Sequence, residues 1–401
     1  MNANPILGQV ALGYSPFIDK SRAVTATRLT VFPLKPESPP DVAELLAAVG
    51  TVWPQSGGRA SLNVLNEALL GQLMKAEPAA NLMVEVPSFM ASDPANIEAL
   101  QALHKAGNTL LLKGRPAHEL PREVLPCFTY SIVDLAEDRR VNEAPGASAA
   151  NAMRTIPHVQ AGVRTLVEME GSFNRGAAAV LGWPIDDAIV ESQAKGKANT
   201  TDLQVIVELI QRVDKQEPIE KLEATLKRDP SLAFKLMRYI NSPAFGLRVE
   251  ISSFRHAIMM LGYQRLKRWL ALLLSTAGTD SNMKPVMFAA VRRGLLMEEL
   301  VRSSGDEEMR NEMFICGVFS LLDRMFKQPF SELLKTIPVP ERVYQALVEN
   351  AGPYQPYFNV VQAVENESLF DFRAAADTLM LSVSEINAAV LTALTAASQI
   401  E

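Results

Sequence analysis

The 401-residue sequence contains only two cysteines and four histidines. Cys127 and Cys316 lie far apart and make neither a disulfide framework nor a zinc motif, which favours a reducing cytoplasm. The longest apolar run, WLALLL at 269–274, is far shorter than the ~20 residues that span a bilayer. The first residues also lack the basic and apolar regions of a signal peptide. We therefore expect a soluble, cytoplasmic protein without a membrane partner.

The chain also lacks an excess of positive charge. It carries 39 basic and 45 acidic residues, a formal net charge of −6, so nucleic-acid binding by the whole chain is not expected. Apolar residues make up 48% and charged residues 21%, which is the balance of a folded globular protein. A chain of this length is too long for one ordinary core and is expected to hold two domains.

The first 190 residues alternate between short apolar runs and amphipathic segments. The alternation predicts a parallel sheet or barrel with helices outside it. The predicted strands are 28–32, 81–86, 109–114 and 131–135. The predicted helices are 41–49, 62–76, 95–106 and 161–170.

A polar segment, ESQAKGKANTTD at 191–202, has no apolar periodicity and marks a domain boundary. We therefore predict one domain at 1–190, a linker at 191–201 and a wholly helical domain at 202–401. Helices are expected at 202–213 and 229–240, and a Ser-capped helix should end at Gly262. Further helices are predicted at 284–303, 307–326, 340–349, 358–366, 370–378 and 383–397.

Two segments of the helical half resemble a known family. DPSLAFKLMRYINSPAFG at 229–246 and ISSFRHAIMMLGYQRLKRWL at 251–270 resemble the core of the HDOD domain, which is helical and similar to HD phosphohydrolases without their catalytic residues. Residues 314–334 resemble the C-terminal part of bacterial proteins that join a degenerate EAL domain to an HDOD domain. The resemblance implies an α+β two-domain protein, with an N-terminal degenerate TIM-like α/β barrel and a C-terminal all-α HDOD domain.

Hydrolysis by an HD-type site would require His and Asp side chains that converge on a metal, because the metal must lower the pKa of a bound water. None of the four histidines is followed by Asp, and only His256 lies in the helical half. No catalytic site of this type is expected. Asn241, Ser242 and Pro243 are expected to form a corner between two helices instead.

The N-terminal half resembles EAL domains, whose active members hydrolyse cyclic di-GMP with acidic residues that hold metals at strand ends. The resemblance places Arg28 in the approximate position of the signature Glu, Lys113 where a pair of aspartates is usual, and Arg175 where a Gln is usual. Of the acidic residues that EAL domains carry at strand ends, Glu85 and Asp134 are kept in this sequence. Two carboxylates beside added positive charge would not hold two divalent cations. We therefore expect no catalytic residue, no metal and no cofactor.

The segment 227–268 carries nine basic residues against two acidic ones. One interpretation is a solvated face whose arginine stems cover apolar surface. The other is a cationic surface for an acidic protein, a nucleotide or RNA, with interleaved aromatic residues. The candidate partner surface consists of Arg238, Asn241, Arg255, Arg265, Lys267 and Arg268.

The functional hypothesis is a non-catalytic bacterial regulator that contacts other signalling proteins through its HDOD domain and carries an inactive EAL domain. One alternative is a sensor that binds a cyclic dinucleotide in the degenerate barrel. The other is a phosphodiesterase with an atypical site.

Overall fold

The computed structural model describes residues 5–138 except 56, 57 and 118; residues 156–187, 200–226, 232, 236 and 254–276; and residues 281–400 except 336 and 338. The chain divides into two compact units. The barrel unit comprises Met1–Asp187 and Asn359–Thr395, and the helical unit comprises Ala188–Phe358 and Ala396–Glu401.

Eight strands form a closed barrel in sequence order. The first strand runs antiparallel to both of its neighbours, β2 and β8, whereas all other neighbouring pairs are parallel. This arrangement confirms the predicted TIM-like barrel. The strands are β1 Val10–Asp19, β2 Val24–Pro33, β3 Ala60–Val64, β4 Leu82–Pro87, β5 Leu110–Lys113, β6 Phe128–Asp134, β7 His158–Ala161 and β8 Ala179–Leu181.

Helices connect most of the parallel strands. Three of the five described helices begin at residues that cap them: Asp41 and Asn66 accept hydrogen bonds from the first-turn amides, and Thr165 and Glu168 form a capping box. The helices are α1 Val42–Val52, α2 Glu67–Lys75, α3 Ser88–Ala91, α4 Ile97–Lys105 and α5 Leu166–Asn174.

Two predicted helices, 62–76 and 161–170, began too early, because their first residues belong to β3 and β7. In β3, Ser61 and Asn63 are buried and make polar contacts inside the barrel. The strand therefore lacks the apolar pattern by which β-strands are detected. The strand β1 was also missed, since Gly13, Ser15 and Pro16 interrupt its apolar run.

The barrel interior has an apolar level and a polar level. The apolar cluster includes Phe17, Ala26 and Met83, together with side chains from β5 to β8. Alternate residues of a strand face the same side. Ser15, Arg28 and Glu85, each two positions from a member of the cluster, therefore lie on the same face but nearer the carboxyl ends of the parallel strands.

In the helical unit, every described element between 202 and 300 is a helix, so the helical prediction is confirmed for the part of that range that the structure describes. Gly262 breaks α8 with φ 69°, as predicted for a C-cap glycine. The predicted helix 307–326 is two helices, and 340–349 ends in a π-helical turn, Gln345–Glu349. The helices are α6 Thr200–Asp214, α7 Ile219–Leu226, α8 Phe254–Thr276, α9 Lys284–Leu300, α10 Glu307–Phe319, α11 Leu322–Phe326, α12 Phe330–Leu333 and α13 Glu341–Tyr344.

Small residues allow α9 and α10 to pack closely. A Cβ added at Gly317 would lie 2.5 Å from the backbone of Arg293, and one added at Gly294 would lie 2.5 Å from Val318. Leu232 and Leu236 of the predicted helix 229–240 are buried. The remainder of that helix and the Asn241–Ser242–Pro243 corner lie outside the described residues.

Three C-terminal helices follow: α14 Gln355–Glu365, α15 Leu369–Leu379 and α16 Val383–Ile400. Residues Asn359–Thr395 belong to the barrel unit, which differs from the predicted helical domain at 202–401. The reason is a set of contacts across the whole chain, in which buried Asn387 donates to the carbonyls of Leu7 and Val10 and accepts from the amide of Leu12. Such contacts leave no local sequence pattern.

Among the described residues, no single helix is long and apolar enough to cross a bilayer. One pair, Leu369–Leu379 and Val383–Ser398, passes on length and composition together but is bent by 108°.

Candidate functional site at the barrel mouth

The carboxyl ends of the parallel strands carry the active sites of TIM-like barrels. Four of the five predicted positions come together near this end: Arg28 in β2, Glu85 in β4, and Lys113 and Asp134 at the last positions of β5 and β6. A cleft of about 350 Å³ opens here. It is lined by Arg28, Thr30, Phe32, Asn63, Leu65, Lys113, Gly114, Ile132, Asp134, Glu137, Ala161 and Glu367.

Arg28 and Glu85 form a buried ion pair beneath the cleft. Nη2 of Arg28 lies 2.7 Å from Oε2 of Glu85, and the Glu85 residue is only 1% exposed. The hydroxyl of Ser61 donates to the other carboxylate oxygen at 3.0 Å. Both oxygens of Glu85 are therefore already engaged by donors of the chain itself.

A second carboxylate reaches Arg28 from the C-terminal segment. Oε2 of Glu367 lies 3.4 Å from Nη1 of Arg28, and Oε1 accepts a hydrogen bond of 2.8 Å from the hydroxyl of Ser15. Glu367 was not among the site residues predicted from the sequence. It follows Arg28 by 339 positions, and it stands in a helix-connecting turn with no local signal of a site.

The carboxylates of Glu85 and Glu367 stabilise the charged form of Arg28. Burial alone would lower the pKa of this guanidinium, but attraction by Glu85 and Glu367 and the hydrogen bond to Glu85 raise its pKa above the ordinary value. Arg28 is thus a permanent cation between two carboxylates.

Lys113 is the second cation of the mouth. Its ammonium donates to Oδ1 of Asn63 at 2.7 Å, and Asn63 in turn donates to the hydroxyl of Thr30 at 3.0 Å. Burial lowers the pKa of Lys113, and the charge of Arg28 lowers it further against the opposing pull of Glu85 and Glu367. Within the described part of the chain, no carboxylate lies within ion-pair distance of this ammonium.

The other two predicted positions behave differently. Asp134 is exposed and accepts hydrogen bonds from the amides of Ala136 and Glu137 at 2.8 and 3.4 Å, so it caps the turn after β6. Arg175 is not part of the mouth. It follows the last residue of α5, and its guanidinium donates to Ser172 at 3.3 Å. The strand β8, which closes the barrel, begins only at Ala179.

The mouth does not fit the pair of divalent cations that an active EAL-type site implies. The deepest acid, Glu85, is bonded to a guanidinium, and Lys113 adds a second positive charge that would repel a cation. Within the residues that the structure describes, no group of three or more His, Cys, Asp or Glu side chains is arranged to hold a metal ion.

The candidate basic surface is largely neutralised by ion pairs within the helical unit. Arg255 contacts Glu220 at 3.1 Å and Glu223 at 3.5 Å, Lys267 pairs with Asp214, and Arg268 pairs with Glu298. Arg310 also reaches Glu298, at 3.1 Å, and Arg268 stacks on the ring of Phe314.

The other three residues of the candidate partner surface are Arg265, Arg238 and Asn241. Arg265 is exposed, and among the described residues no carboxylate lies within ion-pair distance of it. Arg238 and Asn241 lie outside the described residues.

Part of the helical unit matches the model of a known domain family. The model of the HDOD domain matches residues 201–327. These residues form an HDOD domain. The prediction made from 229–270 is therefore confirmed, and the ion pairs of Arg255, Lys267 and Arg268 are features of this HDOD domain.

Two curated relatives match across both halves. The chain is 24% identical over 322 residues to the uncharacterized protein YuxH of Bacillus subtilis, a match that covers 78% of this chain and 77% of the relative. It is 22% identical over 328 residues to the cyclic di-GMP phosphodiesterase CdgJ of Vibrio cholerae, covering 81% of this chain and 75% of the relative.

Among solved structures, the chain is similar to EAL proteins over fewer than half of its residues. It is 14% identical to the cyclic di-GMP-bound standalone EAL protein of Vibrio cholerae O395, covering 44% of this chain and 91% of that one with a TM-score of 0.33. The chain is also 14% identical to EAL enzyme Bd1971. This match has a TM-score of 0.33 and covers 44% of the present chain and 61% of the Bd1971 chain. The chain thus spans less than two thirds of the Bd1971 structure.

Proposed function

We propose that this protein is a non-catalytic regulator in cyclic di-GMP signalling. It acts through protein contacts of its HDOD domain, and its EAL-like barrel does not hydrolyse the dinucleotide. The HDOD match at 201–327 supports a signalling role. The relative CdgJ is named a cyclic di-GMP phosphodiesterase, which supports the pathway.

The observation that carries the non-catalytic assignment is the contact of Arg28 with Glu85. Metal-assisted phosphodiester cleavage needs carboxylates free to coordinate a cation that activates water. Here Glu85 is enclosed by a guanidinium and a hydroxyl. A metal ion would have to displace the buried, permanently charged guanidinium of Arg28. Among the described residues, the other carboxylate in contact with this guanidinium is that of Glu367, at 3.4 Å.

Turnover of cyclic di-GMP by the purified full chain tests this proposal. With magnesium or manganese, we expect no linear dinucleotide or GMP by chromatography, while an active EAL enzyme in the same buffer produces both. Hydrolysis by the wild-type chain that disappears in a Glu85→Gln variant would contradict the proposal and favour the phosphodiesterase alternative.

A second candidate function is a cyclic dinucleotide sensor. The cleft contains Lys113 without a carboxylate partner among the described residues, and its volume of about 350 Å³ lies within the ~300–1,000 Å³ range of small-molecule pockets. Phosphate groups are natural partners for such an ammonium. Calorimetry with cyclic di-GMP tests the sensor, with Lys113→Ala expected to weaken binding and the exposed Lys105→Ala as the matched control.

A further inference from the structure

The turn between α14 and α15 brings Glu367 to the barrel mouth, and its local backbone would suit a different residue. The amide of Ser368 donates to the carbonyl of Ala363 and that of Glu367 to Val364, which is the Schellman pattern at a helix end. Glu367 takes the left-handed position of this motif, with φ 52°. Glycine is the usual residue there, because it has no Cβ to strain. The helix end alone therefore does not explain a glutamate.

The barrel wall is shaped to accept this turn. A Cβ on Gly13 of β1 would lie 3.0 Å from the Cα of Glu367 and 3.0 Å from the carbonyl oxygen of Val364. Only a residue without a side chain leaves room for so close an approach without displacement of backbone. Arg164, which follows β7, donates to the side-chain oxygen of Asn366 at 2.7 Å and thereby holds the residue directly before Glu367.

The Glu367 carboxylate determines the charge of the cleft. The cleft lining contains the cations Arg28 and Lys113 and the carboxylates Asp134, Glu137 and Glu367, a formal charge of −1. Without Glu367 the lining would be neutral, and Nη1 of Arg28 would lose its contact at 3.4 Å with the carboxylate. The side chain of Glu367 is 17% exposed, so it borders the cleft rather than being sealed beneath it.

We propose that Glu367 is a displaceable intramolecular ligand that closes the barrel mouth to anions. Its carboxylate holds the donors of Arg28 and Ser15 that a phosphate group of an incoming ligand would use. An anionic ligand must displace it, whereas the rest of the C-terminal segment remains anchored through Asn387. The proposal deepens the sensor function proposed above and concerns the same cleft.

The affinity of the full chain for cyclic di-GMP and for pyrophosphate, measured by calorimetry, tests this inference. Glu367→Gln keeps the shape of the side chain and removes the competing charge, so cyclic di-GMP should bind at least about tenfold more tightly than to the wild type. Asp377→Asn in the same segment changes the net charge equally but lies at an exposed position, and it should match the wild type. A gain for pyrophosphate as well as for cyclic di-GMP would show that the phosphate chemistry alone is recognised.

A second readout does not depend on a variant. Saturating cyclic di-GMP should speed amide hydrogen exchange of the wild-type peptide that contains residues 364–369, because the Glu367 contacts break. Equal affinities of Glu367→Gln and Asp377→Asn, or absence of binding by every variant, would overturn the inference. Neither result would bear on hydrolysis, so the non-catalytic assignment would stand or fall separately.

Discussion

At the scale of single residues, the balance of charge at the barrel mouth governs the chemistry. In the buried pair of Arg28 and Glu85, the guanidinium neutralises the carboxylate. The carboxylate is therefore not available to coordinate a cation. A buried ion pair contributes little net stability by itself, yet the removal of one partner leaves an uncompensated charge.

The first prediction concerns this pair. Glu85→Leu should lower the free energy of unfolding by about 3 kcal/mol, because Arg28 keeps only the longer contact with Glu367. The double variant Arg28→Met with Glu85→Leu should recover most of that loss, since no charge is left buried. Urea denaturation of both variants measures the difference. Equal stabilities of the single variant and the wild type would show that the pair is solvated.

The second prediction concerns Cys316 in α10. Burial, with a smaller contribution from Glu312, raises the pKa of its thiol to about 12. The thiol stays protonated in the folded chain when the unfolded chain, with a pKa near 9.0, ionises. Its contribution to stability is therefore present below about pH 9 and is lost as the pH rises toward 12.

Iodoacetamide labelling followed by mass spectrometry measures this protection. The folded protein at mildly alkaline pH should leave Cys316 unmodified, because the thiolate is the reactive form, whereas the protein in urea should be labelled fully. Rapid labelling of Cys316 in the folded chain would contradict its burial.

The sequence revealed some of these residues and not others. Arg28, Glu85 and Lys113 were found because the order of short apolar strands resembles an EAL domain, and a strand fixes which of its residues face inward. Arg175 was misplaced by a few residues because the segment before β8 continues as helix α5. Glu367 could not be found, because its role depends on a contact between residues that are hundreds of positions apart.

At the scale of elements, the C-terminal helices complete the barrel unit. Buried Asn387 of α16 satisfies two carbonyls and one amide near the start of β1. Amphipathic periodicity predicted these helices to within a few residues, but periodicity states only that a helix has an apolar face and not which surface covers it. The unit to which they belong therefore had to come from the structure.

The third prediction concerns this attachment. Asn387→Ala should lower the free energy of unfolding of the barrel unit by at least about 2 kcal/mol, because it leaves three buried backbone groups without partners. Thr378→Ala on the exposed side of α15 is the control and should change it by no more than about 0.5 kcal/mol. Thermal unfolding reports both values, and equal midpoints would mean that the Asn387 contacts are dispensable.

At the scale of the whole molecule, an eight-stranded barrel and an HDOD domain lie in one chain. The proposed function assigns recognition to both and catalysis to neither. Three residues of the candidate partner surface, Arg255, Lys267 and Arg268, already form ion pairs within the helical unit. Reversal of Lys267 or Arg268 would break contacts with Asp214 or Glu298 and would confound binding with folding. Arg265 can be tested without that cost.

The fourth prediction therefore uses Arg265. Arg265→Glu should abolish capture of the native signalling partner from the source cell while the melting temperature stays unchanged, because the side chain is exposed. Lys284→Glu, at another exposed position of the helical unit, should retain the partner. Retention by both variants would show that Arg265 belongs to a merely solvated face.

The non-catalytic assignment depends on the buried Arg28, which holds Glu85 and thereby excludes divalent cations from the barrel mouth. Manganese binding, measured by electron paramagnetic resonance during titration of the full chain, shows whether Arg28 excludes the cation. We expect the wild-type chain and the Glu85→Gln variant to leave the signal of free manganese equally undiminished. A loss of signal with the wild type that the Glu85→Gln variant restores would show that Glu85 coordinates the metal and that Arg28 does not exclude it.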